Sequence, residues 1–442
     1  MLNAAQSLEL AEKVLRFAKG ADQAEIDVQS GVAAYSRYAR NYITQNLNQD
    51  ATTVTCTFVS GKHVGNATSA DLSDGGLHRL VSAAADVAHR SPANPEFVSL
   101  AAKAPIAKNP PAVFFSTKNA TPDQRVDKLL PVFGRMQRDG LNCAGYLTTQ
   151  YGAQAVANSL GVRASYDGTT SGIEIKAMAP DTSGFAEYWS RDYKTFDTAE
   201  RADLAARKAT VSREPEDFPT GTYTVILEPP AFSDVLGGLL DAMNIQSVLE
   251  DKDSWMVGRI GKPILSKNLT IVDDWSHPIL LNAPFAPDGA PTKKLTLIDR
   301  GVPKSYVSST YFANKFKAPN TGHPGFPSNA VVLAGTKTRE QLIAETDRGV
   351  LISRCWYTRV VDPREQTITG LTRDGVFLIE GGKLTRTLKN FRFFTSMLTA
   401  LAQVELGNRI YFSGAAADGA SQPAMPVAKI AKFTLSAQAS FA

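Results

Sequence analysis

The segment Thr52-Thr-Val-Thr-Cys-Thr-Phe-Val-Ser-Gly-Lys-His-Val-Gly65 decides the fold class of this 442-residue chain. From Val54 to Phe58 apolar residues alternate with threonine, a pattern typical of a strand with one buried face. Ser60-Gly61-Lys62 then predicts a tight turn into a partner strand that begins at His63. The same alternation places Cys56 on the apolar face of its strand.

Helical periodicity surrounds these strands. Apolar residues recur at helical spacing in four segments of the first half of the chain, near residues 7–20, 75–89, 123–138 and 196–212. Further strands are predicted over residues 24–28, 146–151, 154–160 and 172–178, with a turn at Asp167-Gly168. Helices mixed with antiparallel strands indicate an α+β fold.

The second half of the chain is richer in predicted strands. A strand at 223–227 leads into Pro229-Pro230, which suits the start of a helix that continues to Met243. From about residue 269 short strands follow one another, and a late helix is predicted near 394–404. Two prolines and a glycine near 215–221 mark the boundary. We therefore predict an N-terminal α/β domain over residues 1–215 and a β-rich, barrel-like domain over 216–442.

Composition narrows the class of protein. The formal net charge is +4 and shows no basic block, which disfavours nucleic acid as a partner. No apolar run approaches the roughly 20 residues of a membrane span, and no signal peptide is visible. Three widely spaced cysteines indicate reduced thiols rather than a disulfide framework. We expect a cytoplasmic protein without a membrane partner.

Few local motifs carry chemistry. Asp273, Asp274 and His277 form the only local cluster of acids with histidine, which could bind a divalent metal or could form a capped turn. His323 lies in a loop rich in glycine and proline, where functional residues are frequent. The nucleophile-elbow, Walker and dinucleotide-binding motifs are absent from the sequence.

Gly237-Gly238 stands inside the helix predicted after Pro229. A glycine in a helix interior costs about 1 kcal/mol relative to alanine. The pair therefore indicates that another part of the protein, or a partner, approaches the helix closely.

Several stretches taken together resemble the TldD/PmbA family, the split peptidases (peptidase U62) also described as modulators of DNA gyrase. The resemblance rests on residues 37–45, 61–72, 157–161, 221–229, 269–274, 285–292, 297–302, 321–322 and 375–383. The order and spacing of these pieces run along nearly the whole chain. The family implies an α/β N-terminal region followed by a β-rich C-terminal domain.

The resemblance also implies a heterodimer in which one subunit carries zinc. In the TldD-type subunit a helix presents His-Glu-x-x-x-His, and a cysteine near the C-terminus completes the ligands. Carried over to this sequence, the motif falls on Gly237, Gly238 and Ala242, and the cysteine falls near Phe412 or Ser413. Cys355 lies far upstream of that point. The chain therefore resembles the PmbA/TldE type, with no catalytic or metal-binding residue transferred and with zinc expected in the partner.

The leading hypothesis is a non-metal-binding subunit that helps to enclose a cleft for unfolded or small peptides. One alternative is a stand-alone or homodimeric peptide-binding protein without catalysis. Another is an active hydrolase with a site around Asp273, Asp274, His277 and His323. Candidate substrate-binding residues are Arg300, His323 and Arg373, which are polar groups in loop-rich stretches of the second domain.

Overall fold

A computed structural model describes residues 1–108, 110–413 and 423–439 of the chain. The helices are α1 Ala4–Leu15, α2 Asp74–Arg90, α3 Phe115–Lys118, α4 Pro122–Arg138, α5 Thr198–Val211, α6 Pro229–Asp241, α7 Thr310–Phe316, α8 Arg339–Ala344 and α9 Met397–Leu401. The strands are β1 Gln23–Ala39, β2 Tyr42–Ser60, β3 His63–Ser69, β4 Asn142–Asn158, β5 Arg163–Met178, β6 Ser183–Ser190, β7 Gly221–Leu227, β8 Ile271–Asp273, β9 Leu295–Asp299, β10 Val302–Pro303, β11 Ala330–Val332, β12 Arg348–Asp362, β13 Thr367–Glu380, β14 Lys383–Thr387, β15 Phe391–Ser396, β16 Val404–Leu406, β17 Tyr411–Phe412, β18 Ala424–Met425 and β19 Ala428–Gln438.

The first sheet is antiparallel and has the strand order β3-β2-β1-β4-β5-β6. Helices α1 and α2 cover the apolar face of β1 and β2, where Cys56 is fully buried as its alternation predicts. Helix α5 covers the same face of the sheet at β5 and β6, and α4 packs against α5 and β4. The opposite face carries polar, small and aromatic side chains, and part of it packs against the second half of the chain.

Two local predictions for the first half are wrong. Asp167-Gly168 is not a turn: both residues lie inside β5, and Gly168 pairs with Gly152 of the single long strand β4. The ring of Tyr166 lies over Gly168, and a Cβ at position 168 would lie 2.3 Å from the Tyr166 hydroxyl. This close approach explains why a glycine stands in the middle of the strand. Helix α1 starts earlier than predicted, because Asn3 rather than a later residue caps it.

The second half contains two sheets. One has the order β10-β9-β8-β11-β18-β17, and the other β12-β7-β19-β15-β13-β14. In the latter, β12 also pairs with β13, so that β12, β7, β19, β15 and β13 form a closed ring. The α+β fold and the barrel-like second half are therefore confirmed.

Helix α6 belongs to the largest apolar core of the molecule. Its residues Phe232, Val235, Leu236, Leu239 and Leu240 are fully buried and pack with side chains of the barrel strands. The helix predicted over 394–404 is mostly wrong, because only α9 is helical there and β15 precedes it. Alternating burial in β15 shows that the apolar spacing at 391–396 belongs to a strand.

The two halves are in contact at several points. Val156 and Val162 of the first half form one apolar cluster with Phe285 and Ala290 of the second. Nearby ion pairs also cross between the halves, as described below. Of the helices in the described residues, none has the length and apolar character required to cross a membrane.

Candidate functional site

The positions on which the resemblance places the family's zinc-binding motif lie on α6 and at its C-terminal end. Gly237 is buried, yet a Cβ placed on it meets no atom within 4 Å, so this position faces open space. A Cβ on Gly238 would lie 2.4 Å from Cγ2 of Val360 on β12. Ala242 caps the C-terminal end of the helix and donates its backbone N–H to the Gly238 carbonyl. The close approach predicted at this glycine pair is therefore made by β12.

The position that corresponds to the family's cysteine lies beside the same helix. Phe412 pairs with Ala424 of β18, and β18 packs against α6. The hydroxyl of Ser413 donates a 2.5 Å hydrogen bond to Oε1 of Glu187 on the first sheet. Gln422, which follows this region in the sequence, lies outside the described residues.

A carboxyl pair stands on the first sheet at this place. Glu174 of β5 and Glu187 of β6 are directly opposite each other in register, so their side chains share one face. Tyr146 donates a 2.6 Å hydrogen bond to Glu174, and the Trp189 indole donates one of 2.9 Å to Glu187. Phe412 packs edge-on against Trp189, with ring centroids 6.4 Å apart. Aromatic rings thus surround the two acids.

Burial dominates the electrostatics of this pair. It raises the pKa of Glu187 to about 7, with a further increase from the negative charge of Glu174. Burial also raises the pKa of Glu174, against the opposing effect of the Tyr146 hydrogen bond. Arg354 on β12 favours the charged form of both acids, although less strongly than burial disfavours it.

Arg354 connects the carboxyl pair to the barrel. Its guanidinium lies 4.4 Å from the ring centroid of Phe185 and 5.4 Å from that of Trp356. It also pairs with Asp374 at 3.5 Å, and Asp374 pairs in turn with Lys176 at 3.0 Å. Burial alone would raise the pKa of Asp374, but Lys176, Ser183 and Arg354 together lower it. These charges bind the first sheet to β12 and β13.

Buried polar atoms without hydrogen-bond partners are concentrated here. Buried groups of this kind are normally paired with protein or water. Within the described residues, most of the unpaired side-chain atoms belong to α6, β12, β13 or the turn between these two strands: Ser233 Oγ, Ser353 Oγ, Arg354 Nε, Thr358 Oγ1, Gln366 Oε1 and Asp374 Oδ2. These elements form one region, which we call the junction. It consists of α6, the β12–β13 hairpin and the Glu174–Glu187 pair.

Arg373 is the predicted substrate-binding residue that lies at the junction. Its guanidinium is 5.2 Å from the Trp356 ring centroid. It also lines a cavity of about 600 Å³ between the first sheet and β13, together with Lys176 and Asp374. Sequence reasoning missed Glu174 and Glu187, which only strand register brings together, and Arg354, which reaches them only where β12 packs against the first sheet.

The other two predicted residues lie elsewhere. Arg300 is on the exposed turn between β9 and β10, with its side chain 79% exposed and 3.6 Å from Asp299. His323 is fully buried, which corrects the expectation that its loop presents it to a cleft. Its Nε2 is 3.0 Å from Oδ1 of Asp273, and its Nδ1 is 3.0 Å from the Thr321 hydroxyl. The His323 imidazole is therefore part of a buried hydrogen-bond network in the core.

The acid–histidine cluster predicted from sequence is divided in the structure. Asp273 points inward and accepts hydrogen bonds from the backbone and side chain of Asn329. Asp274 instead faces Lys294 at 3.0 Å and accepts from Ser276, as a capped turn does. Within residues 1–108, 110–413 and 423–439, no three His, Cys, Asp or Glu side chains form a group that could hold a metal ion.

Comparison with known proteins identifies the family to which the chain belongs. The profile of the PmbA/TldA metallopeptidase central domain matches residues 118–213, and that of the C-terminal domain matches residues 220–436. The chain belongs to the TldD/PmbA family. Metalloprotease PmbA of Escherichia coli O157:H7, a curated relative, is 25% identical over 399 residues, which is 85% of each chain.

Solved structures of the TldD/PmbA family share the fold. TldE from Thermococcus kodakarensis superposes with a TM-score of 0.88 at 21% identity, covering 96% of this chain and 99% of that one. A candidate modulator of a DNA gyrase from Thermotoga maritima gives a TM-score of 0.86 at 16% identity, with the same coverage. These likenesses establish the fold of this TldD/PmbA-family chain.

Proposed function

We propose that this chain is the non-metal-binding subunit of a TldD/TldE-type heterodimeric zinc metallopeptidase, and that it helps to enclose a cleft for unfolded or small peptides. The observation that carries the proposal is the chemistry of the family's ligand positions. Zinc takes thiolate, imidazole or carboxylate ligands. Gly237, Gly238 and Ala242 have no side-chain donor atom, and the hydroxyl of Ser413 is bonded to Glu187. These residues do not fit a zinc ion.

Two further observations support a role in a larger assembly. The side chain of Val360 occupies the space that a side chain at position 238 would need. In the family's motif, that position carries the glutamate. The cavity of about 600 Å³ that Arg373, Lys176 and Asp374 line at the junction offers space and polar groups to a peptide. Zinc, supplied by a TldD-type partner, would polarise the scissile carbonyl and acidify water.

The test is reconstitution with a TldD-type chain from the same organism that carries His-Glu-x-x-x-His. We expect light scattering to show a one-to-one complex, metal analysis to find zinc only when the partner is present, and peptide hydrolysis only from the mixture. The matched control is the same partner with both motif histidines replaced by alanine, which should form the complex without activity.

Three results would overturn the proposal. The chain could bind zinc and hydrolyse peptides by itself, which would indicate a site of its own. It could form homodimers that bind peptide and ignore the partner, which would favour the stand-alone binding protein. It could remain monomeric in every mixture, without effect on the partner's activity.

A further inference from the structure

A second cavity lies on the first sheet, on the face opposite the helices. It has a volume of about 600 Å³ and is bordered by β1, β2, β4 and β5, by Ala283 and Pro287 of the second half, and by Arg191. This volume is in the range of sites for small ligands. The cavity is separate from the residues of the junction, since it shares none of them.

Strand register explains why the sheet is hollow here. Gly31 of β1 stands opposite Ala51 of β2 on one side and Gly152 of β4 on the other. Gly152 is exposed, and a Cβ on it would meet no atom within 4 Å. At the β5 end the floor is closed by Tyr166, whose hydroxyl donates a 2.5 Å hydrogen bond to the Leu281 carbonyl. The floor is thus nearly bare backbone.

Glutamine side chains stand on both sides of this floor. One row, formed by residues paired across the strands, contains Gln29 and Gln154, and the other contains Gln49 and Gln150. The amides of Gln29 and Gln154 donate to Asp27, and the amide of Gln150 donates to the Tyr35 hydroxyl at 2.9 Å. These bonds orient the amides and leave their carbonyl oxygens as acceptors.

The lining of the cavity is close to neutral. Arg191 is its charged member, and its guanidinium donates to the carbonyls of Leu280 and Thr169, to the Thr170 hydroxyl and to Asn282. Four of its five N–H groups are therefore engaged with the protein. A ligand with many phosphate or carboxylate groups would find little to bind, whereas a ligand rich in neutral N–H donors would find several acceptors.

We propose that this cavity binds the main chain of an extended peptide, with peptide N–H groups donating to the glutamine carbonyl oxygens. The inference rests on the proposed function and names where this chain holds the substrate. Three strand spacings of about 4.8 Å give a floor about 14 Å wide, the length of roughly four extended residues. Contacts with the main chain make recognition independent of the peptide's sequence.

The test measures binding by the full-length chain alone, with fluorescence polarisation of a dye-labelled acetyl-tetra-alanine amide. We expect saturable binding, a loss of at least tenfold in affinity in Gly152→Leu, and a similar loss for the peptide with N-methylated amides. A Cβ at 152 meets no atom within 4 Å and the backbone there does not have positive φ, so we expect the leucine side chain to enter the cavity and the variant to fold normally. Gly134→Leu is the matched control, because Gly134 is an exposed glycine with equally open surroundings on α4.

Absence of saturable binding by the wild-type chain would overturn the inference. So would equal affinities of wild type and Gly152→Leu, or equal affinities for the methylated and unmethylated peptides. Complex formation with the zinc-bearing partner is measured on the same variants, so failure of the cavity is distinguishable from failure of the proposed function. Thermal unfolding followed by circular dichroism confirms that each variant is folded.

Discussion

The Ser413 hydroxyl and the Glu187 carboxylate are joined by a 2.5 Å hydrogen bond that connects the end of β17 to the first sheet. In the TldD-type pattern the position near 413 belongs to a cysteine that binds zinc. In this chain the corresponding side chain instead solvates a buried acid. The interaction links the two halves of the molecule.

The first prediction concerns the pH dependence of stability. Burial raises the folded-state pKa of Glu187 to about 7, above its ordinary value of 4.5. The folded protein therefore holds this proton more tightly than the unfolded chain does, and the related stabilisation is complete below pH 4.5 and is lost as the pH rises through 7. The pKa difference corresponds to at most about 3 kcal/mol.

We expect Glu187→Gln to flatten the decline in the free energy of unfolding between pH 5 and 8, measured with urea. Glu25, whose pKa is raised to about 8 by burial, remains and keeps part of the slope. Exposed Glu9 provides the control, since Glu9→Gln should leave the wild-type slope unchanged. An unaltered slope in Glu187→Gln would show that Glu187 ionises normally.

The second prediction compares the adjacent glycines of α6. Gly238→Ala should destabilise the fold by about 1–3 kcal/mol, because the new methyl group overlaps Val360. Gly237→Ala should be neutral or stabilise by up to about 1 kcal/mol, because its Cβ enters open space in a helix. Both are measured by urea unfolding.

The double variant Gly238→Ala with Val360→Ala tests the cause. It should recover part of the stability lost in Gly238→Ala, which appears as coupling in a double-mutant cycle. Simple additivity of the two substitutions would mean that Val360 is not the group that restricts position 238.

Much of the fold could be predicted from local pattern. The alternation at 54–58 gave β2 its buried face, and Pro229-Pro230 marked the start of α6. The barrel-like form of the second half was predicted, but the strand pairs that close it were not, because the pairing of β12 with both β7 and β13 depends on contacts distant in sequence. Gly168 was wrongly predicted to be a turn residue. In sequence, a glycine that lies under a tyrosine ring looks the same as a glycine in a turn.

The candidate site was predictable in part. The cost of two helical glycines indicated a close approach at 237–238, but Val360 could not be identified without the structure. Glu174 and Glu187 meet only through strand register. His323 was misjudged because its loop looks exposed, whereas Asp273 holds the ring in the core.

The third prediction tests the role of the His323 network. Asp273→Ala should cost about 3 kcal/mol of unfolding free energy, because it leaves His323 and Asn329 buried without their acceptor. Arg300→Ala, on the exposed turn, should change it by less than about 0.5 kcal/mol. Equal small effects in the two variants would contradict a structural role for the network.

The last prediction concerns Glu228, which precedes α6 and contacts both halves of the molecule. Its carboxylate pairs with Lys208 of α5 at 2.5 Å and with Arg339 of α8 at 2.8 Å. Burial alone would raise the pKa of Glu228, but the two cations outweigh it and lower the pKa to about 2. The stabilisation is therefore present above pH 4.5 and is lost as the pH falls through 2.

Glu228→Gln should cost about 3 kcal/mol of unfolding free energy at pH 7, because two cations are left without their partner. The deficit relative to wild type should shrink as the pH falls towards 2. Glu216→Gln, at an exposed ion pair with Arg386, should cost less than about 1 kcal/mol. A deficit in Glu228→Gln that stays constant from pH 7 to pH 3 would contradict the electrostatic explanation and indicate a packing defect instead.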